Sequence, residues 1–320
     1  MKTRRDFHKS LRLPYYALLI SLLAACGKAP QPQPMQSAES APAPAAIASA
    51  DVHEFKIGTL QAFALRDGTF VIPNDGKTFA VGRSPDDVAK LLTEAGLPTT
   101  ELSLSIQPLL VKSADKVLLF DTGTGVGGGG GKLIESLRAA GVEPTMVTDI
   151  FISHAHGDHA GGLVDSSGAL AFPNATLRMS TPEWEAFKAG AAQDANRAAV
   201  IQAVTPKVET FAPGSDILPS LVKAVEIKGH TPGHSGYLVT SGAESLLYMG
   251  DVAHHYIVSV QQPDWTIQFD RDAPTAQASR KEVLAANAQS GQRIYAVHFP
   301  FPGLGKFAQR GERFVWTPEQ

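Results

Sequence analysis

The chain has 320 residues, 43% hydrophobic and 18% charged, with a net charge of −3 and a pI near 6.4. That composition excludes wholesale disorder, and the slight acidity excludes a nucleic-acid binder that draws its affinity from a basic surface. One cysteine, Cys26, excludes an internal disulfide and any cysteine-rich zinc knuckle, so a bound metal would need ligands from the ten histidines and the carboxylates.

The chain opens on Met-Lys-Thr-Arg-Arg, followed by an apolar run from Leu13 to Ala25 that ends at Cys26. This is the basic and then apolar pattern of a secretory signal, too short to span a bilayer comfortably. Thr3–Lys9 resembles a twin-arginine export signal, and Leu23-Ala24-Ala25-Cys26 resembles a bacterial lipobox, which implies a lipid on Cys26. Residues 1–26 are therefore read as an export signal. Residues 27–50, rich in Pro, Ala, Gln and Ser, are read as a flexible spacer. A catalytic domain is expected over 51–320, in an exported, periplasmic protein anchored to a bacterial membrane.

Within that domain, Phe55–Pro73 alternates around Asp67-Gly68, which predicts a hairpin turn between two strands. Two more strands are expected over Leu102–Asp121, the second at Val117–Phe120. A helix is expected over Lys132–Ala140, closed by Gly141. Asp149–Ser153 reads as a short strand. Thr181-Pro182-Glu183 reads as an N-cap and proline start of a helix through Lys188. Strands are expected at Lys223–Lys228, Gly236–Thr240 and Ser245–Met249. A helix over Thr275–Ala288 and a strand over Arg293–Val297 follow. Strand runs separated by helices imply stacked α/β layers. The glycine-rich stretch Gly125–Lys132 is not a phosphate loop: Val126 stands where glycine is needed and Leu133 where Ser or Thr should be.

The decisive segment is His154-Ala155-His156-Gly157-Asp158-His159. Side chains two apart on a strand share a face, so His154 and His156 can clasp one metal. Gly157 permits a turn that carries Asp158 and His159 to a second position. Imidazoles and a carboxylate gathered in a partly buried site need partners. Further ligands are sought just past strands, at His234 in Gly229–His234, at Asp251 and at His298. His230 is read as a turn residue or a partner to a ligand. His254 and His255 are read as ordinary polar residues. Asp121 is read as orienting a metal-binding histidine. Trp184, Phe299 and Phe301 fit core and pocket wall equally well.

His-x-His-x-Asp-His, then a distal His, an Asp and a last His, resembles the metallo-β-lactamase superfamily. Its methyl parathion hydrolase-like branch is the nearer likeness. That likeness rests on the Asp-Thr-Gly at 121–123, on Ala171–Ala175, on His230–His234, on Gln268-Phe269-Asp270 and on His298–Gly303. The resemblance implies a four-layer αβ/βα sandwich with the metals at one edge. His154, His156 and His234 would hold one ion, and Asp158, His159 and His298 the other. Asp251 would bridge them together with a water or hydroxide. In the branch, aromatics line a leaving-group pocket: Trp184 matches one, while the loop that would carry the other is glycine-rich here.

The resemblance implies a dinuclear hydrolase that uses the bridging hydroxide to cleave an ester, lactone or phosphotriester, with Asp158 or Asp251 accepting a proton. Zinc suits a His-rich N/O site, and manganese, iron or cobalt are chemically acceptable. The expected partners are a small-molecule substrate, a membrane through the anchor and a second copy in a homodimer, with no nucleic acid. A zinc β-lactamase fits less well, because those nearest in pattern lack an Asp at the position of Asp251. A glyoxalase II-like thioesterase fits the ligands but not the branch. The other readings are an inactive metal-binding or metal-delivery lipoprotein and a di-iron redox protein.

Overall fold

The computed structural model describes residues 49–125 and 130–319. The export signal, the Cys26 lipobox, nearly all of the 27–50 spacer and residues 126–129 of the glycine-rich loop lie outside the described residues. The first strands are β1 (Val52–Ile57), β2 (Leu60–Leu65) and β3 (Gly68–Pro73). Helix α1 (Pro85–Glu94) precedes β4 (Glu101–Ile106), β5 (Leu109–Lys112) and β6 (Val117–Phe120). Then come α2 (Leu133–Ala139), β7 (Asp149–Phe151), the one-turn α3 (Gly157–Ala160) and β8 (Thr176–Ser180). Helices α4 (Thr181–Gly190) and α5 (Ala195–Val204) lead to β9 (Val208–Phe211), β10 (Asp216–Leu218) and β11 (Val222–Glu226). The chain continues through β12 (Ser235–Ser241), β13 (Glu244–Tyr248), α6 (Val258–Gln261), α7 (Ala273–Ser290), β14 (Arg293–Tyr295), β15 (Leu304–Arg310) and β16 (Arg313–Pro318).

Two seven-stranded sheets result, ordered β1-β2-β5-β6-β7-β8-β9 and β10-β11-β12-β13-β14-β15-β16. Alternation along the strands sends one face of each sheet inward. Phe55, Val111, Phe120 and Phe151 of the first sheet meet Tyr237, Tyr248 and Tyr295 of the second in one buried cluster. The outer face of the first sheet packs on Leu137 of α2, Trp184 and Phe187 of α4 and Val204 of α5. The outer face of the second packs on Leu284 of α7 and Val260 of α6. Helices, sheet, sheet and helices make the expected four-layer αβ/βα sandwich. In each sheet a parallel pair sits near the middle, β6 with β7 and β13 with β14. Parallel pairing brings the C-terminal ends of both strands to one edge, where ligand loops collect.

The Asp67-Gly68 expectation is corrected. No hairpin joins β2 and β3: β2 pairs with β1 and β5, while β3 leaves to form a two-stranded sheet with β4. The cause is tertiary. Asp67 is buried, and its carboxylate accepts from the Thr124 N–H (2.9 Å), the Thr124 hydroxyl (2.9 Å) and the Leu133 N–H (2.8 Å). It anchors a crossing instead of a turn. Leu102–Asp121 likewise holds three strands, β4 to β6, in place of two. The N-cap of α4 is Ser180, one residue earlier than expected, and its hydroxyl accepts from the Glu183 N–H. Asp67→Ala is expected to leave two buried N–H donors unpaired and to lower unfolding stability by about 3 kcal/mol, read by urea denaturation; an unchanged midpoint would remove Asp67 as an anchor.

Candidate metal centre

Strand β7 stops at Phe151, so His154 and His156 lie in the loop beyond it and not on the strand. The loop still brings their rings together, with His154 Nε2 2.9 Å from His156 Nδ1. Gly157 then opens α3, which carries Asp158 and His159. Asp251 follows β13 and His298 follows β14, each just past its strand as expected. The chain thus delivers these groups from the ends of the two central parallel pairs, while His230 and His234 lie in the loop between β11 and β12.

Two clusters form. His154, His156, His230 and Asp251 make one, and Asp158, His159 and His298 the other, the ligand atoms of each lying within 4.8 Å of one another. His230 Nε2 lies 3.2 Å from His154 Nε2 and 3.1 Å from His156 Nδ1. Asp251 joins the clusters through its two oxygens. Oδ2 faces His154 Nε2 (3.6 Å) and His230 Nε2 (3.4 Å), while Oδ1 faces His159 Nε2 (3.2 Å) and His298 Nε2 (3.1 Å). Asp158 Oδ2 completes the second cluster, 3.5 Å from His159 Nε2 and 3.4 Å from His298 Nε2.

His234, expected as a ligand, lies in neither cluster, and His230 stands in its place. His234 Nε2 accepts the Asp251 N–H at 2.9 Å, and its Nδ1 lies 3.3 Å from the Ile227 carbonyl. The ring is taken up by backbone and holds Asp251 in place. Gly250 lets it do so: at φ +52°, a Cβ there would lie 2.4 Å from His234 Nε2. His230, four residues earlier, turns its Nε2 to the cluster because Nδ1 meets Asp270 Oδ1 at 3.0 Å.

The other ligand rings are oriented in the same way. Asp121, as expected, positions a histidine: its Oδ2 accepts from His159 Nδ1 (2.6 Å), the Tyr248 hydroxyl (2.6 Å) and the Ser153 hydroxyl (2.6 Å). His298 Nδ1 donates to the Ser105 carbonyl at 2.8 Å. Each bond occupies Nδ1 and leaves Nε2 facing inward. Asp270 is held in turn by Arg280, a fully buried guanidinium that donates to Asp270 Oδ2 (2.7 Å), to the Val252 carbonyl (2.7 Å) and to the Pro263 carbonyl (3.0 Å).

These residues fit a pair of cations. His159 Nε2 and Asp251 Oδ1 are buried and lack any hydrogen-bond partner among the described residues. Such orphans are costly unless a ligand meets them. Two ligands on a tetrahedral zinc stand about 3.3 Å apart, within the spread of the spacings above. The buried carboxylates draw positive charge to the site. Burial opposes protonation of His159 and His298, yet Asp251 and Asp158 outweigh it and raise both; burial likewise opposes it at His230, where Asp251 and Asp270 prevail. Burial and neighbouring imidazoles hold His154 well below the usual range and bring His156 down to about 4, so both are neutral at pH 7. Burial would raise Asp251, but His159 and His298 hold it well below the usual carboxylate range.

A cavity of about 290 Å³ opens over the clusters. Phe70, Ile72, Leu104 and Phe269 form an apolar wall, and Asp158 and His254 face into it. Among the described residues no Lys or Arg lines it. A larger cavity, about 330 Å³, lies on the other face of the β3–β4 pair, against Thr69, Ser103 and Ser105, and holds none of the clustered ligands. The pocket role that the resemblance gives Trp184 is corrected: it packs in the core beside Phe187. Phe299 is core, and Phe301 lies under the Arg66 guanidinium by the larger cavity.

His254 differs from the expectation for an ordinary polar residue. It is buried, its Nε2 lies 3.2 Å from Asp251 Oδ2, and neither ring nitrogen has a hydrogen-bond partner among the described residues. Its position three residues after Asp251 was the available signal. His255 points away and caps α6, its Nδ1 accepting from the Ile257 and Val258 N–H groups.

A profile of the metallo-beta-lactamase superfamily matches residues 105–298, more than half of the chain. The chain belongs to this superfamily. The solved structure of AidC, described as a dizinc quorum-quenching lactonase in complex with the product N-hexnoyl-L-homoserine, is 31% identical; the match covers 84% of this chain and 97% of that one, with a TM-score of 0.78. Hydrolase AbOPH, described as in the beta lactamase superfamily, is 28% identical over 85% of this chain and 99% of that one, with a TM-score of 0.77. A ribonuclease Z of Salinibacter ruber is 40% identical over 77 residues, and the chain spans about a fifth (21%) of that protein's length. The chain is a metal-dependent hydrolase, and the dizinc neighbour and the His/Asp clusters support two metal ions. His230→Ala is expected to lose about one equivalent of metal, while His234→Ala keeps two at weaker affinity; elemental analysis of the purified variants distinguishes them, and the reverse pattern would restore His234 as the ligand.

Proposed function

We propose that the enzyme hydrolyses a neutral carboxylic ester, an N-acyl homoserine lactone foremost. The observation that carries this reading is an apolar cavity, free of Lys and Arg among its described lining, set directly over the joined clusters. An anionic β-lactam or a phosphodiester would find no Lys or Arg in that lining and would have only the metal ions to pair with. The wall of Phe70, Ile72, Leu104 and Phe269 suits an acyl or aryl group. The lactonase named among the solved neighbours supports the lactone in particular.

Two divalent ions, with zinc proposed, would be held by His154, His156 and His230 and by Asp158, His159 and His298, with Asp251 shared; they would supply Lewis acidity to the acyl oxygen and acidify water. The chain's own groups do the rest. Asp158 faces the cavity and is the more exposed carboxylate, which suits it to accept the proton of the attacking water. Asp251, held by His234 through its own N–H, fixes the spacing of the clusters. His254 is placed to hydrogen-bond a substrate oxygen from the cavity wall.

The methyl parathion hydrolase-like branch is the proposed placement within the superfamily. Its Gln268-Phe269-Asp270 segment supplies a cavity wall in Phe269 and the support of His230 in Asp270. The same cavity, free of Lys and Arg among its described lining, would admit a phosphotriester. A panel of acyl-homoserine lactones, aryl esters, a paraoxon-type triester and a cephalosporin tests the reading. Turnover is expected to be highest on the lactones, absent on the cephalosporin and lost in His154→Ala. Cephalosporin turnover, or none on any ester, would overturn it.

We also propose that the catalytic domain begins near Asp51, that the protein is exported to the periplasm, tethered by lipid at Cys26, and that it forms a homodimer. The signal and lipobox pattern supports export and the tether, and the start of β1 at Val52 supports the domain boundary. Cys26→Ser is expected to move the protein from the membrane to the soluble fraction; an unchanged distribution would remove the anchor.

A further inference from the structure

Glu183 is a buried carboxylate that the reaction does not use. It stands in the first turn of α4, where a glutamate often turns back to the N-cap backbone. Here it reaches outward and joins two ligand loops. Its Oε1 accepts the N–H of Ala155, between His154 and His156, at 2.9 Å. Its Oε2 accepts the Thr231 hydroxyl at 2.7 Å and the Gly233 N–H at 2.9 Å, just after His230. Ser180, the N-cap of α4, donates to the Gly233 carbonyl at 2.6 Å. The approach is so close that a Cβ on Gly233 would lie 2.2 Å from the Glu183 nitrogen.

Among the described residues no Lys, Arg or His forms an ion pair with Glu183. A carboxylate buried without a counter-charge is costly, so its three donors must offset the loss of water. Those donors belong to segments about 75 residues apart in sequence, and the side chains beside them, His154, His156 and His230, make up three of the four members of the first cluster. The spacing of these imidazoles depends on how the two loops lie against each other, and Glu183 is bonded to both.

We propose that Glu183 is a positioning residue of the metal centre: its carboxylate sets the distance between the His154–His156 loop and His230, and so the affinity of the first metal position. This rests on those residues holding an ion. Glu183→Gln keeps the shape but turns one acceptor into an NH₂ donor. Either flip then faces a fixed backbone N–H, of Ala155 or of Gly233.

The test titrates the metal-free full chain with Zn²⁺ against a chromogenic chelator and records the melting temperature of the metal-free protein. Glu183→Gln is expected to bind one equivalent as the parent does and the other about 10- to 100-fold more weakly. Thr231→Val, which removes one of three donors, should weaken the same equivalent by a smaller factor, and the two changes together should be less than additive. If Glu183→Gln does not fold, Thr231→Val decides alone. Two equivalents at parental affinity, with only the metal-free melting temperature lowered, would make Glu183 a staple of the fold and overturn the proposal while leaving the metal centre standing. A parent chain that binds no Zn²⁺ would overturn both.

Discussion

Asp251 is buried among five imidazoles: His154, His159, His230, His254 and His298 all bring a ring nitrogen within 3.1–3.6 Å of its carboxylate. One oxygen faces each cluster. Crowding so many polar groups away from water is expensive unless cations fill the space between their lone pairs. The remaining architecture can be understood as a means of holding that arrangement open. A chain free to relax would turn the rings toward solvent or toward one another.

The frame that prevents this is the pair of facing sheets. Their parallel pairs, β6 with β7 and β13 with β14, end at a common edge, and all the clustered residues but His230, which lies in the β11–β12 loop, leave from those ends. A further layer of bonds fixes ring rotation. Asp121, the Ser105 carbonyl and Asp270 each engage an Nδ1 and commit Nε2 to the centre. Two of these supports reach deep into the molecule, Asp121 to Tyr248 between the sheets and Asp270 to Arg280 on α7. Core packing and ligand geometry are therefore mechanically joined, and a change in either is felt by the other.

The substrate side is built by a different device. The β3–β4 pair stands apart from both large sheets, and alternation gives it two unlike faces. Phe70, Ile72 and Leu104 face the metal centre, while Thr69, Ser103 and Ser105 line the larger cavity. Ser105 also passes its carbonyl through to His298, so the strand that shapes the cavity also orients a ligand. Selectivity and metal geometry thus share β4.

The sequence by itself determined the features that depend on short-range spacing. His154, His156, Asp158 and His159 lie within six residues, so no distant contact was needed to bring them together. Asp251 and His298 were legible because each follows an apolar strand closely, and Asp121 because it ends one. Tertiary structure decided the rest. Asp67-Gly68 has the local chemistry of a hairpin, but bonds from Thr124 and Leu133 make Asp67 an anchor. Trp184 could have faced a pocket and was drawn into the core by Phe187 and its neighbours. The choice between His230 and His234 turned on groups from later segments of the chain: the Asp251 N–H claims one ring and the Asp270 carboxylate aims the other. Two histidines four residues apart in a loop carry no periodicity that says which one faces a metal. That orientation comes from hydrogen bonds to segments the loop meets only when the sheets have closed.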